Sequence, residues 1–391
     1  MDSLRVRAYN VRFGDAILVT IPDRAGNGTV TKRHILIDVG NVLMGAGGQD
    51  EVFDPVVHDI LRELDGGPLD LYVMTHEHMD HIQGLLWAWK ERDLKLRATH
   101  AWLTASAARD YYDRFPDAKK KKLEFQEAYE RIALHLAATT AALPAGIESL
   151  RLNNDPRTTA DCVEHLRTVG DQTSFVSRAA DVTGTHPFSE ARFEIWGPEE
   201  DTSVYYGAFK PMGLPIGPTV AGSVGTGALV ATSPDPVPPP GVDAGAFYNL
   251  VERRRRGIFD NLLAIDKAAN NSSVVFLVEW RGWRLLFPGD AEERAWKEMA
   301  KRNQLAPVHF LKIGHHGSHN GTPDGDLLDA ILPPESPDGR PRSALVSTHE
   351  GTYNNVPDPD TLARVGERST VFRIGEAGDT VSIDLTFPDP G

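Results

Sequence analysis

The segment YVMTHEHMDH, residues 72 to 81, gathers His76, His78, Asp80 and His81 into six positions directly after an apolar run. Imidazole and carboxylate bind zinc, iron or manganese when a rigid backbone holds them close together. Two residues apart in a tight loop, His76 and His78 can point the same way at one ion, while Asp80 and His81 can turn towards a second. A lone histidine is more often a core or surface residue, but four ligand-type groups in this pattern point to a metal centre. The single cysteine, Cys162, has no partner for an internal disulfide and no thiol neighbour for a zinc knuckle, so any metal must rest on imidazole and carboxylate. In TTADCVEHL, Cys162 reads as a small buried helix residue. His165 shares its face three positions on, yet nothing else nearby supports a thiol triad.

The elements that must position these groups follow from periodicity. Leu4, Val6 and Ala8 alternate with Arg5 and Arg7, and DAILVTI (15 to 21) and HILIDVG (34 to 40) follow across a turn-like PDRAGNGT, which predicts an antiparallel meander. After a helical pattern from Asp54 to Leu64, LDLYVMT (69 to 75) reads as a buried strand that delivers the histidines to a loop at its C-terminal end, where ligands gather in layered α/β folds. Residues 105 to 143 look helical, with Phe125, Tyr129, Ile132 and Leu136 on one face, and a helical insertion is expected over about 105–180. ARFEIWGPEE (191 to 200) resumes strand character, and the Gly/Pro-rich tract over about 201–247 reads as a flexible loop, with a substrate lid as the alternative. Beyond it, SSVVFLVEW and WRLLFPGD form a hairpin, PVHFLKIGHHGS and SALVST two further strands, and Val381, Ile383, Leu385 and Phe387 alternate in a last one. Strand-rich halves flanking a helical middle predict two sheets packed face to face with helices outside.

Composition narrows the function classes. With 391 residues, 41% hydrophobic and 25% charged, the chain can bury a sizeable core. No stretch approaches the roughly 20 apolar residues that span a bilayer, and MDSLRVRAYN has no apolar signal core, so a cytoplasmic protein without membrane partners is expected. A net charge of −14 repels polyanions at long range; KKKK at 119 to 122 and RRRR at 253 to 256 offset it locally and read first as solvated helix faces. No phosphate-cradling glycine motif with a following lysine occurs, which disfavours ATP hydrolysis.

THEHMDH matches the H-x-H-x-D-H signature of the metallo-β-lactamase superfamily, and ILIDVG, with Asp38 and Gly40, LLFPGD and LKIGHHGS resemble its early, carboxylate and late histidine strands. NVRFGDAILV, NNSSVVFLV, LLFPGDAEE and FLKIGHHGS together are similar to the hydrolase domain of bacterial competence DNA-uptake proteins and its soluble relatives. The resemblance spans nearly the whole chain and implies one α/β hydrolase domain over 1–391, built as a four-layer αββα sandwich. It implies that His76 and His78 serve one metal, that Asp80 and His81 serve another, that Asp290 bridges them, and that His315 or His316 completes the second site. His315 is preferred because it is nearer the strand end. The relatives lack the usual third histidine of the first site and carry an Asn-Ser segment there, matched by Asn270, Asn271 and Ser272. They often carry Y-G-H-P after the last core strand, where this chain reads NNVP with Val356 in place of the histidine; His349 is the candidate replacement.

The implied cofactors are two divalent cations, zinc with manganese as the alternative. Such a pair shares one water and lowers its pKa from 15.7 to about 7, so that hydroxide is available for attack on phosphorus or a carbonyl. Asp80 would orient the nucleophile, His316 or His349 would protonate the leaving oxygen, and Ser318 is a candidate phosphate contact whose turn-capping alternative is the stronger. The expected substrate is a phosphodiester, as for a nuclease or smaller phosphodiesterase, with Arg253 to Arg256 available to phosphates. Lactone, ester or thioester hydrolysis is the second class. A non-catalytic metal-binding partner subunit is the third, and the intact HEHMDH, GD and HHGS motifs argue against it.

Overall fold

Among the described residues thirteen strands are interspersed with helices: β1 (Ser3–Tyr9), β2 (Ala16–Arg24), β3 (Val30–Val39), β4 (Leu69–Met74), β5 (Ala98–Thr104), β6 (Gly170–Val176), β7 (Arg192–Gly197), β8 (Val275–Trp280), β9 (Trp283–Phe287), β10 (Phe310–Lys312), β11 (Ser343–Val346), β12 (Thr370–Arg373) and β13 (Ser382–Pro388). They are seen in a computed structural model that describes residues 3–42, 50–137, 145–178, 180–207, 260–349, 356–375 and 380–390. Most of the Gly/Pro-rich tract and Arg253 to Arg256 lie outside these residues.

The strands form a seven-stranded sheet in the order β13-β1-β2-β3-β4-β5-β6 and a six-stranded sheet in the order β12-β11-β10-β9-β8-β7. In the first sheet, β13, β1, β2 and β3 are antiparallel, as the alternation predicts, and β3 through β6 are parallel. The second repeats that order: β7, β8 and β9 are antiparallel and β9 through β12 parallel. Parallel neighbours need a crossover, and helices Met79–Arg92 and Pro156–Leu166 in one half, and Glu293–Lys301 and Gly325–Ile331 in the other, lie between such strands.

Between the sheets lies one apolar layer. Leu4, Val6, Ile17, Val19, Ile35, Ile37, Leu71, Val73 and Trp102 of the first sheet meet Phe276, Val278, Trp280, Leu285, Phe287, Phe310 and Leu345 of the second. The outer face of the first sheet is covered by helices Phe53–Glu63, Met79–Arg92 and Pro156–Leu166, and that of the second by Glu293–Lys301, Gly325–Ile331 and Pro359–Gly366. Strands buried on both faces need no polar alternation, which is why β2 and β8 read as near-continuous apolar runs. On β1, Leu4, Val6 and Ala8 face inward, whereas Arg7 reaches Asp59 (2.8 Å), Glu63 (2.6 Å) and Asp384 (2.7 Å).

The expected helical insertion is helical only in part. Helices Pro116–Ala137, Ala145–Asn153 and Pro156–Leu166 occupy it, with Phe125, Tyr129 and Ile132 buried against Leu150, Leu262 and Ile265. Its end is β6, a polar edge strand paired with β5. An edge strand with one covered face carries too weak an apolar pattern to read from GDQTSFV. Among the described residues no helix is long and apolar enough to cross a membrane.

Phe276 of β8 stacks on Phe287, with centroids 5.3 Å apart, and meets Trp102 of β5 edge-on across the sheets at 6.3 Å. Phe276→Ala should therefore destabilise the fold by about 3–5 kcal/mol, measured by denaturant unfolding.

Candidate metal centre

Three segments bring ligand-type side chains to one end of both sheets. The loop after β4, running into helix Met79–Arg92, carries His76, His78, Asp80 and His81; the turn after β9 carries Asp290; and the turn after β10 carries His315 and His316. Asp80, His81, Asp290 and His316 form one fully buried group that could hold a metal ion, and His76, His78 and Asp80 form another.

The distances fit cation ligands. His76 Nε2 and His78 Nδ1 lie 3.1 Å apart, His81 Nε2 and Asp290 Oδ2 3.2 Å, and His316 Nε2 lies 3.2 Å from Asp80 Oδ2 and 3.6 Å from Asp290 Oδ2. Ligands held tetrahedrally at 2.0–2.1 Å from zinc stand roughly 3.3 Å from one another. Asp80 Oδ1 and His81 Nε2 are buried without any hydrogen-bond partner, a costly state that a bound cation relieves.

Each imidazole is oriented from behind. Thr75 Oγ1 donates to Asp38 Oδ2 (2.6 Å), so it accepts from His76 Nδ1–H (3.0 Å). Asn154 uses its amide N–H on Leu150 O and Asp266 Oδ1, which turns its Oδ1 to accept from His78 Nε2–H at 2.9 Å. His81 Nδ1–H donates to Asp38 Oδ2 (2.8 Å) and His316 Nδ1–H to Ser347 O (3.2 Å). The other nitrogen of each ring thereby faces its group, the orientation that a metal-binding tautomer requires.

Charge differs between the groups. Burial, then the neighbouring His81 and His78, holds the His76 imidazole well below its usual pKa, in the neutral form a metal requires. Burial opposes a charge on His81, but Asp290, Asp38 and Asp80 outweigh it and raise its pKa well above the usual value. Burial likewise works against the Asp290 carboxylate, and His81 and His316 more than offset it, so its pKa is lowered. The group with two carboxylates thus draws positive charge.

Beneath the centre, buried Lys312, at the end of β10, donates to buried Asp15, just before β2, at 2.5 Å. Asp15 N–H in turn donates to Asp80 O (3.0 Å), and Gly40 N–H to Asp15 O (3.0 Å). The backbones approach so closely that a Cβ on Gly40 would lie 2.1 Å from His81 N, and one on Gly14 2.8 Å from Asp80 O.

Several expectations change. His316, not the preferred His315, joins Asp80, His81 and Asp290. Both residues sit in a left-handed turn, with φ of 48° and 52°, which sends their neighbouring side chains to different sides. His316 Nδ1 lies 3.2 Å from Ser347 O and its Nε2 3.2 Å from Asp80 Oδ2, which places the ring within the group that could hold a metal ion. The carboxylate common to both groups is Asp80, while Asp290, the expected bridge, stands in the second group alone. His349 is half-buried and belongs to none of these groups. Ser318 is satisfied within its turn by His315 and Asn320. Asn271 ties to Lys267 O and Ala295 N, and Asn270 reaches Asp266 and Glu292. Cys162 is buried, which pushes its thiol up to about 12, and the His165 ring stacks on Trp89 at 5.0 Å.

A cleft opens on His76 and His78. Its walls include Tyr112, Phe125, Tyr129 and Tyr206, together with Lys122, which pairs with Glu77 at 3.3 Å. Asp38, Asn154, Asp266 and Lys312 had no role assigned from sequence. Asp38 and Lys312 stand in ILIDVG and LKIGHHGS, but Asn154, Asp266 and Lys312 act through folding partners more than 70 residues away in the chain.

No protein-family model and no curated protein matches the chain.

Asp38→Asn should weaken metal binding by about 10–100-fold in a metal titration, because the amide can turn its NH₂ towards His81. A disulfide thiol reagent at about pH 8 should label Cys162 only as the protein unfolds.

Proposed function

We propose that the chain is a metal-dependent hydrolase with the four-layer metallo-β-lactamase architecture, cleaving phosphodiester bonds. What supports the reading is the convergence of His76, His78, Asp80, His81, Asp290 and His316 from both sheets into two adjoining groups that share Asp80. When bound, two divalent cations supply hydroxide at neutral pH and neutralise charge on the reacting oxygens.

The chain's own residues do the rest. Asn154, Asp38 and Ser347 hold the imidazoles in ligand tautomers. Asp80 presents an unpartnered carboxylate oxygen at the junction of the groups, suited to orienting a nucleophile. Lys122, a third exposed along its side chain, faces the cleft and would hold a phosphoryl oxygen in exchange for part of its contact with Glu77. The aromatic walls would pack the leaving group and exclude water.

One observation favours a second reading. Tyr112, Phe125, Tyr129 and Tyr206 line part of the cleft, and its lysine already has a carboxylate partner, which suits an uncharged lactone or aryl ester as well as a phosphate.

Metal-loaded protein should turn over a bis-aryl phosphate or single-stranded DNA in preference to a lactone, and turnover of the lactone alone would reverse the order. Asp80→Ala with His81→Ala should reduce hydrolysis to background and lower bound metal while circular dichroism stays native; full activity in that variant would refute the reading.

A further inference from the structure

A third cluster stands beside the centre and shares no residue with it. Asp266, on the helical residues 260–271, Glu292, after the β9 turn, and His315 place ligand atoms within 4.8 Å of one another. Both carboxylates are buried, and among the described residues they face the rings of His78 and His315 but form no ion pair with a lysine or arginine, whose charge is permanent. Buried carboxylates without a counter-charge are costly.

Few hydrogen-bond donors serve the cluster: Asn320 Nδ2 donates to Glu292 Oε2, Asn154 Nδ2 to Asp266 Oδ1, and Asn270 serves the other two oxygens. Asn270 is fully buried, and its NH₂ spends its two hydrogens on Asp266 Oδ2 (3.2 Å) and Glu292 Oε1 (2.9 Å). Turning the amide over would set its oxygen against both carboxylates, so this orientation is fixed, and Asn270 Oδ1 accepts nothing. Ser318 donates to Asn320 Oδ1 (2.9 Å) and therefore accepts from His315 Nδ1–H (2.8 Å). A neutral His315 ring then turns its Nε2 lone pair to the cluster, 4.0 Å from Asp266 Oδ2 and 3.4 Å from an amide nitrogen whose hydrogens are already used. The cluster thus combines two carboxylates and a ring nitrogen with too few protons between them, and beside them a buried amide oxygen that no donor satisfies.

We propose that Asp266, Glu292 and His315 form a third cation site, taking a divalent ion of the zinc or manganese class, for which mixed oxygen and imidazole ligands are suited. The ion would brace both neighbouring groups. Asp266 Oδ1 lies 3.7 Å from His78 Nε2, and the His315 backbone N–H donates to Asp290 Oδ1 at 3.0 Å.

The test is a metal count on the full chain, stripped with chelator, reloaded with zinc and freed of excess by gel filtration. Wild type should hold three equivalents and Glu292→Gln two, with His315→Gln as a second variant and circular dichroism as the folding check for both. Asp80→Ala with His81→Ala should retain the equivalent that Glu292→Gln removes. A wild type that loads no more metal than Glu292→Gln would overturn the site and leave a proton on His315 as the balancing charge. A wild type that binds one equivalent, lost in Glu292→Gln, would uphold the site while sinking the dinuclear reading.

Discussion

The buried contact between Lys312 and Asp15 joins the two halves on which the candidate centre depends. Lys312 ends a strand of one sheet, three positions before His315, and Asp15 immediately precedes a strand of the other while binding the main chain at Asp80. An ammonium and a carboxylate taken out of water lose several kcal/mol of hydration each, and close pairing offsets that loss only in one geometry. The sheets can slide over an apolar layer with little directional penalty, but this pair tolerates no such slip. It fixes the loop bearing His76 to His81 against the turns bearing Asp290 and His316.

From that constraint the lone pairs follow. Four imidazoles with free rotation would present a mixture of tautomers and faces. Here each is pinned by a different kind of acceptor: a hydroxyl, an amide oxygen, a carboxylate and a main-chain carbonyl. The helices between β5 and β6 take part as well, because Asn153 Oδ1 accepts from the Asp80 N–H and Asn154 orients His78. Those helices therefore finish the ring of supports as well as walling the cleft.

Much of this was legible in the residues. HEHMDH follows a buried strand, and both the type and spacing of its side chains announce ligands; the meander, the hairpin of β8 and β9 and the last strand follow from alternation. What could not be read is what long-range packing decides. HHGS does not say which histidine turns inward, since that rests on two left-handed backbone positions. Asp290 against Asp80 as the shared carboxylate is a matter of ångströms between loops. Strands β5, β6 and β12 are short or lie at or near sheet edges, with mixed patterns that propensity does not resolve. The NND of the insertion looks like a helix end and a turn, and its ties to His78 and Asp80 exist only in the folded chain.

The pairing of β1 with β13, Leu4 opposite Phe387 and Val6 opposite Leu385, has a bearing on biogenesis. Every other strand of the seven-stranded sheet is complete once residue 176 has emerged, yet the outer edge of β1 has no neighbour until the ribosome has added some two hundred residues more. Through that interval a row of open main-chain groups, flanked by apolar side chains, is a template for mispairing with other nascent chains. The arginines at 5 and 7, whose charge discourages stacking of like edges, stand guard over it during elongation.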